Sequence, residues 1–277
     1  RYTEREIFMR MDLEDPNLYR WRKHDTINPE GTYAHENDRF GAALAFDGQK
    51  LGRLAIGSPG AKVSGEVRGV VVVYAKAPSP STAWTKVGQT LVGSEEDGRF
   101  GSTVSMNKDG NVVAIGETFY DQFGHNPTGK AGKVHIYNWV AGTQTWALLG
   151  AAIQGTQNRD RFGTAISLDY RGKFVAVGAP GDTEGGRNAG KVSMYVLRNA
   201  DHWDSGDGVA CGASCQWELL GPPITGASGQ AFGHSLQLSW EAHRLVLGGL
   251  NGYAHSPNHL ARLARVYSVD IGNLPPS

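Results

Sequence analysis

Four Phe-Gly pairs punctuate this chain: Phe40-Gly41, Phe100-Gly101, Phe162-Gly163 and Phe232-Gly233, spaced by 60, 62 and 70 residues. Similar text surrounds each pair. The second copy runs AWTKVGQTLVG, DGRFG, STVSMNKDGNVVAIGE, a polar loop and GKVHIYNW. The third runs TWALLGAAIQG, RDRFG, TAISLDYRGKFVAVGAP, a loop and GKVSMYV. A period of this size constrains the architecture more than any local motif does, because each copy must be one structural unit that buries its apolar face on its neighbours.

Each copy holds four apolar runs rich in Val, Ile, Leu and Tyr, separated by glycines or polar clusters, which reads as short strands joined by tight turns. Four such strands, repeated, predict an all-β fold: a β-propeller of four-stranded antiparallel blades with four repeats visible. The strands are called A (after Phe-Gly), B (ending Ala-x-Gly), C (ending in Tyr) and D (starting at Trp84, Trp146 and Trp217, with Trp21 matching them). Val134 with Ile136, and Val192 with Met194, alternate with polar residues, predicting C strands with one face in a core. The order opens on a D strand and closes on a C strand, so a strand near Tyr19–Ile27 is expected to complete the last sheet and close the ring. Residues 1–18 form an N-terminal extension predicted as a short helix ended by Pro16. Residues 19–269 form the propeller, with units near 28–83, 84–145, 146–216 and 217–269, and 270–277 are a tail.

Charge excludes some partners. Lys plus Arg equals Asp plus Glu at 27 each, which favours neither nucleic acid nor an anionic membrane. No apolar run is long enough to span a bilayer. The chain opens on Arg1 with no Met and no signal segment, the form of a processed or trimmed protein. Cys211 and Cys215, four apart in an insertion over 199–216, are candidates for a local disulfide, which would place the chain in an oxidising compartment.

Phe-Gly, a strand, then Gly-Ala-Pro resembles the FG-GAP repeat. Gly178-Ala179-Pro180 keeps it, Gly57-Ser58-Pro59 nearly does, and Gly116-Glu117-Thr118 and Gly248-Gly249-Leu250 depart. The family includes the N-terminal propeller of integrin α subunits, and the fuller phrase is closer to FG-GAP-like proteins of diatoms, other algae and marine bacteria. The resemblance implies a propeller that is secreted, cell-surface or organelle-lumenal. Calcium-binding members carry carboxylate oxygens in the A–B turn. Here Asn107 and Asp109 keep part of that set, and Asp201, Asp204 and Asp207 in the insertion form a second candidate site. No other cofactor is implied.

Within the repeat, Gly of Phe-Gly predicts a close backbone approach, Phe and the Trp row predict packing between blades, and Asp38-Arg39, Asp97-Gly98-Arg99 and Asp160-Arg161 predict ion pairs or caps on the D–A turn. Individuality lies in the B–C loops, which vary while the strands repeat. They offer Phe119, Tyr120, Asp121, His125, Asp182, Glu184, Arg187, Tyr253 and His255 as contacts for a partner. There is no G-x-S-x-G elbow, H-E-x-x-H or P-loop, so the chain is expected not to be an enzyme. The expected function is a protein-binding or structural scaffold presenting its D–A and B–C loops to another protein or a larger assembly. A lectin-like propeller binding glycan between blades is the alternative.

Overall fold

Every Phe-Gly pair opens an antiparallel meander. The computed structural model describes residues 5–10, 21–27, 35–47, 52–77, 83–119, 130–198, 215–249 and 263–268. Among these, one 3-10 turn, Glu36–Asp38, is the helical element and the regular remainder is strand. At the N-terminus β1 (Arg5–Arg10) pairs with β2 (Trp21–Ile27). The first sheet orders β3 (Ala43–Phe46), β4 (Arg53–Ser58), β7 (Val70–Lys76) and β8 (Trp84–Lys86), with β9 (Leu91–Val92) also on β7. A small hairpin, β5 (Lys62–Val63) with β6 (Glu66–Val67), fills its B–C loop. The second sheet orders β10 (Phe100–Met106), β11 (Val112–Glu117), β12 (Lys133–Val140) and β13 (Thr145–Leu148), with β14 (Ile153–Gln154) on β12. The third repeats this with β15 (Ala165–Leu168), β16 (Phe174–Ala179), β17 (Lys191–Arg198), β18 (Gln216–Leu219) and β19 (Ile224–Thr225). The fourth has three strands: β20 (Ser235–Leu238), β21 (Arg244–Gly249) and β22 (Leu263–Ser268).

Four expectations are corrected. The predicted N-terminal helix is strand β1, whose backbone groups are satisfied by pairing with β2. The strand expected to complete the last sheet pairs with β1, and among the described residues no strand pairing or apolar cluster joins the fourth sheet to the first. Each Trp strand pairs with the C strand before it, so unit boundaries at 84, 146 and 217 would cut sheets in two. The C strands of the inner sheets lack an exposed face: the polar His135 and Ser193 are buried as well, because each inner sheet has a neighbour on either side.

The D strand is split by design of the sequence. In W-x-x-x-G the glycines Gly88, Gly150 and Gly221 take φ of +71°, +73° and +68°, a region costly for other residues, and the chain resumes pairing with the C strand at Leu91, Ile153 and Ile224.

Successive sheets lock through the Phe-Gly pairs. Their glycines lie at φ +79°, +84°, +88° and +82°. A Cβ on Gly101 would stand 2.7 Å from Val70 O, and one on Gly57 would stand 2.2 Å from Gly101 O. Gly116 faces Gly163 and Gly178 faces Gly233 in the same manner. Backbone therefore touches backbone at a point where side chains normally hold stacked sheets ~10 Å apart. The adjoining Phe N–H donates to the preceding sheet: Phe100 to Arg68 O at 3.1 Å, Phe162 to Ala131 O at 2.8 Å, Phe232 to Ala189 O at 3.0 Å. All four Phe rings are buried, each contributing roughly 1.5–3 kcal/mol through apolar area.

The Trp row is packing. Trp146 Nε1–H donates to Val87 O at 3.0 Å and Trp217 Nε1–H to Leu149 O at 2.8 Å, each reaching the D segment of the sheet before. Trp84, first in the described row, has its indole N–H buried with no acceptor. Apolar clusters fill the gaps between sheets one and two (Ala55, Val73, Phe100, Ile115), two and three (Ala114, Ile136, Phe162, Val177), and three and four (Ala176, Met194, Phe232, Leu247).

Gly163→Ala is expected to cost about 2 kcal/mol or more, since it strains a left-handed residue and drives Cβ against Lys133 O, 3.0 Å away. Gly142→Ala, where nothing lies within 4 Å, should stay within about 0.5 kcal/mol. Urea denaturation of both variants checks the contrast.

Candidate functional site

Five residues before each Phe, a backbone N–H needs an acceptor to close the D–A turn. Asp38 Oδ2 accepts from His35 at 2.9 Å, Asp160 Oδ2 from Gln157 at 2.8 Å and Gln230 Oε1 from Ala227 at 2.9 Å. These caps stand two residues before Phe. The second copy has Gly98 there, and Glu117 on β11 supplies the carboxylate instead. A Cβ on Gly98 would lie 2.2 Å from Glu117 Oε1. That oxygen accepts from Glu95 N–H at 3.3 Å, while Oε2 accepts from Ser94 Oγ at 3.0 Å and lies 2.8 Å from His135 Nε2. The recurring acids are thus turn caps, and the departure from Gly-Ala-Pro at Glu117 is compensation for Gly98.

The described B–C loop residues are largely committed to the fold. Phe119 is 1% exposed, its N–H donates to Gly98 O, and Lys130 Nζ lies 5.0 Å from its ring centre. It is a packing residue, which corrects its assignment as a partner contact. Asp182 is fully buried. Its Oδ1 accepts from Glu184 N–H at 2.8 Å, and Oδ2 lies 2.6 Å from Lys191 Nζ. Burial works against the Lys191 ammonium, but bonds to Asp182 and Glu184 outweigh it and leave its pKa raised. Asp182 therefore holds the loop shut and cannot meet a partner. Glu184 and Arg187 are exposed. Tyr120, Asp121, His125, Tyr253 and His255 lie outside the described residues, as do Asp201, Asp204, Asp207 and Cys211. Cys215 is buried and disulfide-bonded.

The A–B turns share one construction. Asn107 Oδ1 accepts from Asn111 N–H at 3.1 Å and Val112 N–H at 2.8 Å. Asp169 accepts from Arg171 and Phe174 N–H, Asp47 from Arg53 N–H, and Ser239 Oγ from Arg244 N–H. The candidate calcium ligand Asn107 is buried and spends its oxygen on the hairpin, a local bond that Asx side chains favour. Asp109 is half-buried in the same turn. Among the described residues no cluster of three or more His, Cys, Asp or Glu side chains could hold a metal.

Where the A strands converge lies a cavity of about 340 Å³ lined by Phe46, Lys108, Asp169, Tyr170, Gln237 and Trp240. Hydroxyls stitch its wall: Ser105 Oγ accepts from Leu168 N–H and Ser167 Oγ from Leu238 N–H, both at 3.0 Å. Lys108 Nζ sits 5.2 Å from the Trp240 ring centre. The sequence signal for the cavity was the polar residue at one position of three A strands, Ser105, Ser167 and Gln237, which reads equally well as an exposed strand face.

The end sheets leave exposed some positions that the inner sheets bury, although the near face of the first sheet is otherwise buried: Phe40, Leu54, Ile56, Val72 and Tyr74 pack with Ile27 of β2. On A strands, Val104 with Met106, Ile166 with Leu168, and Leu236 with Leu238 pack against the preceding sheet. The equivalent Leu44 and Phe46 of the first sheet are 55% and 51% exposed. On the opposite face, the cross-strand pairs Ala55–Val73, Ala114–Ile136 and Ala176–Met194 are buried by the following sheet. The equivalent pair in the fourth sheet, Val246–Val266, is 41% and 69% exposed.

No family model and no curated protein matches the sequence. Solved structures similar to this one include Sqt1 of Saccharomyces cerevisiae, at TM-score 0.44 and 14% identity over 78% of this chain and 44% of that one. A putative 6-phosphogluconolactonase from Bacteroides uniformis gives 0.44 and 11%, over 74% and 46%. A putative TolB from Agrobacterium tumefaciens gives 0.33 and 12%, over 92% and 82%. The GH74 enzyme of Niastella koreensis gives 0.35 and 11%, over 91% and 42%. The chain spans less than half the length of the first two. Two of the four carry enzyme names. The expectation that the chain is not an enzyme is corrected, because missing local motifs do not exclude groups that converge only in space.

Two outcomes follow from the turns. Glu117→Ala and Gly98→Asp should each destabilise, the first by uncapping the turn and the second by collision with Glu117. The double variant restores the pairing that Asp160 and Ala179 already use in the third copy, so its loss should fall well below the sum of the two. Denaturation of all three checks this. Burial raises the Asp169 pKa despite its backbone bonds. Its ionised form therefore costs stability in full above the folded pKa, and that cost fades as pH falls from the folded pKa towards the unfolded value of about 3.9, below which it is gone. Asp169→Asn, which copies Asn107, should raise Tm at pH 7 and lose that advantage near pH 3.

Proposed function

We propose that this chain is a protein-binding scaffold of the β-propeller type, secreted, cell-surface or lumenal. The observation that carries the reading is the exposure of Leu44, Phe46, Val246 and Val266 at positions whose counterparts are buried or half-buried at three sheet-to-sheet interfaces. Monomeric surfaces rarely leave contiguous apolar faces open. The disulfide at Cys215 supports an oxidising compartment, and the Phe-Gly and Gly-Ala-Pro motifs keep the FG-GAP resemblance as the family reading. No helix among the described residues is long and apolar enough to cross a membrane. The indoles of Trp146 and Trp217 are hydrogen-bonded to the preceding sheet and do not favour the alternative of glycan binding between blades.

A photo-crosslinking side chain at position 266 or 44 should capture protein in native extract, whereas one at exposed Leu219 on a D strand should not. Equal yields at all three positions, or none, would count against the scaffold.

A further inference from the structure

The A strands of all four sheets line one cavity, and its lining is unbalanced in charge. Three charged side chains contribute to it: Asp47, Lys108 and Asp169. Both carboxylates are committed to their own hairpins. Asp47 Oδ2 accepts from Arg53 N–H at 3.1 Å, and the charge of the Arg53 guanidinium acts on the same carboxylate. Asp169 Oδ1 accepts from Phe174 N–H at 2.8 Å, and its Oδ2 from Arg171 N–H at 3.2 Å. Lys108 has no carboxylate against it among the described residues. Its Nζ stands 5.2 Å from the Trp240 ring centre, a cation–π contact that positions the charge without neutralising it.

The neutral polar groups lean the same way. Ser105 Oγ and Ser167 Oγ each accept from a backbone N–H of the next A strand, so each hydroxyl keeps its proton to donate. No acceptor for either proton stands among the described residues. Ser167 is 3% exposed, so its proton meets the cavity and not bulk solvent. Gln237 Nε2 donates to Ser167 Oγ and to Leu238 O, both at 3.1 Å, which leaves Oε1 as an acceptor. The wall therefore offers one positive charge, two hydroxyl donors and one acceptor, with apolar surface from Val104 and Ile166 between them.

We propose that this cavity binds a small hydroxylated carboxylate of the sugar-acid class. The ligand carboxylate meets Lys108, ligand oxygens accept from the Ser105 and Ser167 hydroxyls, and a ligand hydroxyl donates to Gln237 Oε1. Chloride or sulfate would satisfy Lys108 and the serines but give Gln237 no donor. A neutral sugar would satisfy Gln237 and leave the ammonium uncompensated. The cavity volume of about 340 Å³ falls at the small end of ligand pockets, which suits one ring-sized molecule. Val246 and Val266 do not line the cavity, and the scaffold reading does not depend on this site.

Calorimetric titration of the full chain with glucuronate at neutral pH tests it, with glucose as the control that keeps the ring and lacks the charge. Glucuronate should bind, and glucose should bind about tenfold more weakly or not at all. Lys108→Gln should bring glucuronate down to the level of glucose. Lys108→Arg, which keeps the charge, should retain binding, so a general loss of folding is told apart from loss of the ammonium. A free sugar acid and the acidic end residue of a polysaccharide share this chemistry. Tighter binding of tetragalacturonate than of glucuronate supports the site with a chain end as its source, and equal or weaker binding supports it with the free acid. No binding of either up to about 20 mM, glucose binding as well as glucuronate, or Lys108→Gln binding as the wild type does would overturn the proposal. Capture of protein at position 266 would leave the scaffold reading standing in each of these cases.

Discussion

Backbone against backbone is the contact on which this fold depends. A Phe-Gly glycine in the left-handed region meets a glycine of the preceding B strand, as Gly163 meets Gly116, and the neighbouring Phe N–H bonds back to that sheet. No side chain fits between, so the spacing of the sheets at this point is fixed by the chain itself. The Phe rings, the paired Ala and Val positions and the indoles of Trp146 and Trp217 then fill a gap whose width is already set. Repetition follows physically: a unit that offers glycine on one face and Phe-Gly on the other can stack on copies of itself.

The polar residues serve the same end. Asp38, Asp160 and Gln230 cap one turn, while Asn107, Asp169 and Ser239 close the other. Each satisfies backbone N–H groups that a short turn would otherwise bury unpaired. Glu117 shows how strict the requirement is. Where Gly98 removes the usual cap, a carboxylate arrives from another strand to the same place. Ser105 and Ser167 extend the principle across sheets, since each hydroxyl receives an N–H from the next A strand.

This commitment reshapes the search for function. Residues that look available in a variable loop, such as Phe119 and Asp182, are buried parts of the turn and the strap that closes it. The surfaces left over are the cavity beside Trp240 and the exposed apolar side chains Leu44, Phe46, Val246 and Val266. Catalysis also depends on what converges in space, which is why absent motifs excluded less than they promised.

The sequence alone determined the repeat, the strand content, the packing role of the Trp row and the glycine contact. Each of these leaves a periodic trace: Phe-Gly, Ala-x-Gly and W-x-x-x-G recur because every unit meets the same neighbours. Only the tertiary structure decided which D strand joins which sheet, that β2 pairs with β1, that Glu117 stands in for the cap missing at Gly98, and that Leu44, Phe46, Val246 and Val266 are uncovered. These depend on what lies across a gap of about 10 Å. A residue records its own preferences, but not whether a neighbouring sheet is there to meet it.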